Sequence, residues 1–155
     1  MMSRARRGEI TIDDATFVRA PTPLVYRRLT DLAAWPVWWP HARIRELPRL
    51  GGDERWALSL RAGPATQLRL GLTCVRWRHE AGLVLAVQGD LAGRVELWLE
   101  PVAGGTVVHH LGVIAATRRW PRRTVIGYRR AVRAGLWGFK DALHLEMRTA
   151  IGVHP

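Results

Sequence analysis

The chain has 155 residues, is 48% hydrophobic and carries a formal net charge of +11, which suits one folded domain with one core. No apolar run reaches the roughly 18 residues a transmembrane helix needs. The lone cysteine, Cys74, excludes an intramolecular disulfide and a cysteine-based zinc cluster.

Residues 1–8 are basic and lack an apolar centre, so they are expected to be a disordered N-terminus rather than a secretory signal. Residues 9–155 are expected to form a single domain, and the protein is expected in the cytoplasm. Lys140 is the only lysine, so arginine supplies nearly all of the 24 basic residues. Eight tryptophans in a chain of this length predict a core or pocket rich in flat aromatic surface.

In chain order, residues 9–20 read as a first strand, with Ile10 and Ile12 alternating with polar neighbours. Thr22-Pro23 reads as a helix start, threonine as N-cap and proline at the first helical position, with the helix running to about Ala34. Trp35-Pro36-Val37-Trp38-Trp39-Pro40 excludes a long helix or a central strand and predicts a short rigid helical turn. From residue 42 to 116 the hydrophobic period is two. Six strands are expected, at about 42–49, 54–62, 66–78, 83–89, 93–102 and 106–116. The breaks between them are short and carry Gly, Pro or Asp, which predicts sequential antiparallel hairpins.

Residues 122–150 read as one long helix. Val125, Tyr128, Val132, Leu136, Phe139, Leu143, Met147 and Ala150 follow one another at steps of three or four, so they share a face. Beside them runs a stripe of small residues, Ala131, Gly135, Gly138 and Ala142. Glycine inside a helix costs about 1 kcal/mol relative to alanine, so the stripe needs a reason. Either another backbone packs closely there, or the stripe leaves room for a ligand. Six hairpin-linked strands and one helix can hide both partners' apolar faces only if the sheet curls around the helix. Such a curl tends to leave a cavity between them.

Three segments carry a family resemblance. Residues 20–26 (Ala-Pro-Thr-Pro-Leu-Val-Tyr), followed by Leu29-Thr30-Asp31 and the tryptophan-proline segment 35–40, form the first. Pro101 to Val108, with Gly104-Gly105-Thr106 in its turn, is the second, and Leu136 to Glu146 with Lys140 is the third. Together they resemble the START/Bet v1-like (SRPBCC) superfamily, in particular its polyketide cyclase/dehydrase branch. The resemblance implies an α+β helix-grip fold: a curved seven-stranded antiparallel sheet around a long C-terminal helix, with two short helices between strands 1 and 2. It also implies a cavity for a hydrophobic molecule, since members include aromatase/cyclases and carriers of hydrophobic ligands.

On strand 106–116, the register implied by the resemblance turns Thr106, Val108 and His110 towards the helix and His109 outwards. His110 is then either a core histidine bonded to a neighbour, or a group that hydrogen-bonds a ligand or moves a proton. On strand 66–78, strict alternation continues the face of Leu68, Leu70, Leu72 and Cys74 to Arg76. Either a bulge flips the register there, or Arg76 reaches the cavity mouth, where a guanidinium can bind a carboxylate, enolate or phosphate. Cys74 is expected as a plain buried thiol on that wall.

Ligand contacts are expected from Trp35, Trp39, Leu70, Leu72, Cys74, Leu97, Val108, Ala131, Gly135 and Phe139. In aromatase/cyclases the positions matching Gly135 and Cys74 carry larger polar residues, and Val95, Leu97 and Leu99 stand where aromatic or polar groups are more typical. A roomy, apolar cavity of several hundred Å³ is therefore expected, the usual scale of ligand sites.

Two functions are open. One is binding of a hydrophobic polyketide-like or aromatic small molecule in secondary metabolism, for carriage, sequestration or self-resistance. The other is a polyketide aromatase/cyclase in which His110 or Arg76 acts as acid, base or enolate stabiliser. No cofactor is expected and no metal-ligand cluster is legible. The arginines at 118, 119, 122, 123, 129, 130 and 133 cluster where the long helix begins. They form either a solvated face or a docking surface for an acidic acyl carrier protein or an anionic membrane. No nucleic-acid recognition motif accompanies them. The protein is expected as a monomer or homodimer.

Overall fold

The computed structural model describes residues 8–152, so the expectation for the basic N-terminus lies, apart from Gly8, outside the described residues. The strands are β1 (Glu9–Val18), β2 (Arg43–Leu50), β3 (Asp53–Arg61), β4 (Gln67–Arg78), β5 (Gly82–Gly89), β6 (Leu91–Val102) and β7 (Gly105–Ala116). They form one seven-stranded antiparallel sheet in the order β1-β7-β6-β5-β4-β3-β2. A long connection leaves β1, and it carries the short helices α1 (Thr22–Leu29) and α2 (Trp35–Trp38), with a 3₁₀ turn at Leu32–Ala34 between them. The last described element is α3 (Pro121–Gly152), a single helix of 32 residues.

The short-period segment folds as hairpins because each break suits a tight reversal. At the last one, Gly104 adopts φ 81, a left-handed conformation that glycine takes without steric cost. Two register shifts, between Leu47 and Leu50 and between Cys74 and Arg76, mark bulges that bend and twist the sheet. The concave face carries Ile12, Leu58, Leu60, Leu68, Leu70, Leu72, Leu83, Leu85, Val95, Leu97, Leu99, Val108 and Ile114, all buried. Against them α3 buries Val125, Tyr128, Val132, Leu136, Phe139 and Leu143. Each such side chain contributes roughly 1.5–3 kcal/mol of apolar burial, far more than helix propensity can. The stripe weakens at its end, where Met147 is half-buried and Ala150 exposed.

Two local expectations are corrected. The helix expected from Thr22 to Ala34 breaks at Thr30-Asp31: the Thr30 hydroxyl donates to the Tyr26 carbonyl at 2.6 Å, and Asp31 takes ψ 80. Thr22 is also not the N-cap. Pro21 holds that position, and Thr22 is the first helical residue. The buried Thr106 hydroxyl donates to the Ala20 carbonyl at 2.9 Å, leaving its oxygen to accept from the Thr22 hydroxyl at 2.8 Å. This buried pair ties the start of α1 to β7, which is a tertiary use of a side chain that local sequence assigns to capping.

Candidate functional site

The small stripe on α3 is filled by tryptophan. Trp39 lies against Gly135, and a Cβ built there would sit 2.6 Å from the indole ring carbons. The same indole donates its Nε1–H to the Ala131 carbonyl, one helical turn earlier, at 2.9 Å. Gly138 accommodates the backbone carbonyl of Trp38 in the same way. The stripe is thus a notch that seats α2 on α3. The expectation that Gly135 and Ala131 border a ligand space is corrected: a ring and its hydrogen bond occupy that space.

The two prolines of the 35–40 segment allow only one turn of helix, and that turn packs its rings together. Trp38 and Trp39 are stacked with centroids 5.8 Å apart, Trp35 is 5.7 Å from Trp39, and Trp38 meets Phe139 edge-on at 4.9 Å. Offset and edge-to-face pairs of this kind add about 0.5–1.5 kcal/mol each beyond their area.

Between these rings, the concave sheet and α3 lies a cavity of about 40 Å³. Its wall is formed by Leu29 and the three tryptophans, by Leu58, Leu70, Leu72, Leu85, Val87, Val95 and Leu97 of the sheet, and by Val132 and Leu136 of α3. The wall's polar groups come from His110 and Tyr128. A volume of several hundred Å³ was the expectation; the Trp39 ring against Gly135 and the Trp38 ring against Phe139 fill space that expectation left to a ligand.

His110 is 1% exposed, and its Nε2 lies 3.0 Å from the Tyr128 hydroxyl. Burial lowers the imidazole pKa to about 4, with Asp14 opposing and Arg129 adding to the shift. Burial raises the Tyr128 phenol well above its ordinary value. Both groups are therefore neutral near pH 7. Asp14 stands opposite His110 in the β1–β7 register and accepts from Arg129 at 3.3 Å. The Nδ1 atom of His110 has no hydrogen-bond partner.

Of the site residues named from sequence, Trp35, Trp39, Leu70, Leu72, Leu97 and His110 line the cavity. Cys74, Val108, Ala131 and Phe139 are buried in the surrounding core without lining it, and burial lifts the Cys74 thiol to about 12, the signature of an unreactive thiol. Arg76 does not join the site. Val75 bulges, Arg76 pairs with Val84 on the outer face of the sheet, and its side chain is exposed. The bulge spares an arginine from burial without a partner. Tyr128 and Trp38 were missed. Tyr128 counted among the apolar stripe, although a buried phenol needs a partner and His110 was the polar group in reach.

Among the described residues no cluster of His, Cys, Asp or Glu is spaced to hold a metal, and no helix is long and apolar enough to cross a membrane. In the basic cluster, Arg118 pairs with Asp90 at 3.5 Å and Arg129 with Asp14. Arg119, Arg122, Arg123, Arg130 and Arg133 are exposed, and Arg123 lies over the ring of Trp120, 5.5 Å from its centroid.

No family model matches the chain, and no curated protein matches it. Solved structures do. The Zhui aromatase/cyclase from Streptomyces sp. R1128 superposes with a TM-score of 0.77 at 12% identity, over 92% of this chain and 98% of that one. TTHA0849 from Thermus thermophilus gives 0.72 at 18% identity, over 85% and 95%. Ara h 8.0201 gives 0.67 at 11% identity, over 87% and 97%. Identities this low carry the architecture and nothing finer: the chain shares with these structures the helix-grip fold, a curved seven-stranded antiparallel sheet around a long C-terminal helix.

Proposed function

We propose that the protein binds a hydrophobic small molecule, polyketide-like or otherwise aromatic, in the cavity between α3 and the concave sheet. The observation that carries this reading is the cavity wall. It is aliphatic and aromatic throughout except for one neutral His110–Tyr128 pair, the pattern of a site that gains affinity from burial and orientation from few polar groups. At about 40 Å³ the cavity is small, well below the roughly 300 Å³ at which ligand sites begin. Binding therefore displaces the tryptophan cluster, whose attachment to α3 is one hydrogen bond and ring contacts. Carriage, sequestration or self-resistance would each follow from such binding.

A second reading, aromatase/cyclase chemistry, is favoured by the buried His110–Tyr128 pair and by the fold shared with the Zhui aromatase/cyclase. A neutral imidazole of pKa about 4 is a weak base, and the arginine that was to steady an enolate points away from the cavity.

One experiment separates the two. The purified protein is mixed with a reactive poly-β-ketone, and ligand retention and product distribution are compared for wild type and His110→Gln. Binding with an unchanged product pattern supports the carrier. A product pattern that depends on His110 establishes the enzyme, and absence of any binding or thermal shift across flat aromatic ketones sinks both.

A further inference from the structure

We propose that the cavity selects ligands bearing an oxygen acceptor, which the Trp38 indole N–H anchors and His110 Nδ1 contacts as the second polar atom; this rests on the ligand binding proposed above.

The three cavity tryptophans differ in one respect. The indole N–H of Trp35 donates to the Leu29 carbonyl and that of Trp39 to the Ala131 carbonyl, both at 2.9 Å. The Nε1–H of Trp38 is buried and has no partner. Buried polar atoms in folded proteins are nearly always paired, so an orphan calls for a cause. Among the described residues, the other buried side-chain nitrogen or oxygen without a partner is His110 Nδ1. Both residues line the same cavity. Two orphans on one apolar wall are what a site holds when its complement is a ligand group.

The chemistry of the ligand follows from the donors. An indole N–H can only donate, so its complement is an acceptor. Histidine Nδ1 donates or accepts according to tautomer. It can share a carbonyl oxygen with Trp38 or meet a second oxygen such as a phenol. The remaining wall demands an apolar and flat body. An aryl ketone, quinone or phenolic ketone satisfies all three conditions, whereas a hydrocarbon of the same shape leaves both nitrogens unpaired.

Trp38 is half-buried, whereas the other residues lining the cavity are buried. Trp38 is therefore the lining residue nearest to solvent.

The test uses an isosteric pair, 2-acetylnaphthalene and 2-isopropenylnaphthalene, which differ by a carbonyl oxygen in place of a terminal methylene. Affinities are measured by NMR titration, following the indole ¹H–¹⁵N resonances. The ketone is expected to bind wild type about tenfold more tightly than the alkene, equivalent to ~1.4 kcal/mol, and to move the Trp38 indole resonance where the alkene does not. Trp38→Phe keeps a ring and removes the N–H. It should abolish the preference, read as the ratio of the two probes' affinities within the variant, whatever the variant does to both affinities together. Equal affinity for the two probes in wild type, an unmoved Trp38 resonance, or a preference that survives in Trp38→Phe would overturn the anchor and leave hydrophobic binding intact. Binding of neither probe would remove both readings. If the variant does not fold, the wild-type pair and the indole resonance decide the matter by themselves.

Discussion

Replacing Gly135 by alanine tests whether the notch on α3 is filled or vacant. A methyl at this position would lie 2.6 Å from two carbons of the Trp39 ring and 2.7 Å from its nitrogen, where ordinary contact begins at 3.4 Å. The ring must retreat by about 0.8 Å. It cannot do so freely, because Nε1 is bonded to the Ala131 carbonyl and Trp38 stacks against the ring. Losing that bond costs about 1 kcal/mol, and overpacking of this kind costs about 1–3 kcal/mol. Against this stands a gain of up to about 1 kcal/mol in helix propensity. The net expectation is a destabilisation of about 1–3 kcal/mol, read as a lower urea midpoint with an unchanged slope. Gly138→Ala should be at least as damaging, because its Cβ meets a main-chain carbonyl rather than a side chain. A Gly135→Ala variant as stable as wild type, or more so, would mean that the space beside α3 is open and that Trp39 does not sit in it.

Stability should fall with acid through His110. Its folded pKa is about 4 against an ordinary 6.5, so the unfolded chain binds this proton first. The His110 contribution is complete above about pH 6.5, declines as pH drops towards 4 and amounts to about 3 kcal/mol; in His110→Gln that part of the pH dependence of unfolding should vanish, and an unaltered profile would refute the assignment. Tyr128→Phe leaves His110 Nε2 without its partner and should cost about 1–3 kcal/mol, measurable by thermal melting. Arg76→Ala should change neither stability nor ligand affinity by more than about 0.5 kcal/mol, because its side chain is exposed on the outer face. If the arginines near Trp120 dock an acidic carrier protein or an anionic vesicle, affinity should drop steeply between low and physiological salt; salt-independent binding would leave them a solvated face.

The architecture was legible because it rests on periodicities that burial enforces. Alternation from β2 to β7 and the three-four spacing from Val125 to Leu143 each have a single compact solution once the turns are short. The corrections at Thr22 and at the glycine stripe are places where a partner distant in sequence decides. Thr22 looks like a cap until Thr106, 84 positions away, takes its hydroxyl. At Arg76 the sequence left two outcomes open, inward by strict alternation or outward by a bulge, and the bulge at Val75 is the one realised. Alternation has no term for a bulge, whereas burial of an unpaired guanidinium is costly enough to impose one.

The notch on α3 shows the same limit at the site itself. A glycine in a helix announces that something comes close, and it does not say what. Room for a ligand and room for an indole leave the same mark on α3. The second half of the statement is written far earlier in the chain, since Gly135 is answered by Trp39. Those two halves can be joined only when the chain between them is folded. What the sequence did contain was a surplus of tryptophan: three rings in a six-residue segment must go somewhere, and the notch is where the ring of Trp39 and the main-chain carbonyl of Trp38 fit. The cavity and its plug are thus products of the same residues. Any ligand that enlarges the cavity does so at the expense of the Trp39–Ala131 hydrogen bond or the Trp38–Phe139 contact. If the cavity takes a ligand as proposed, affinity is coupled to the seating of α2 on α3, and substitutions that loosen that seat without unfolding it, Phe139→Leu among them, should strengthen binding of bulky ligands while lowering the melting temperature of the free protein.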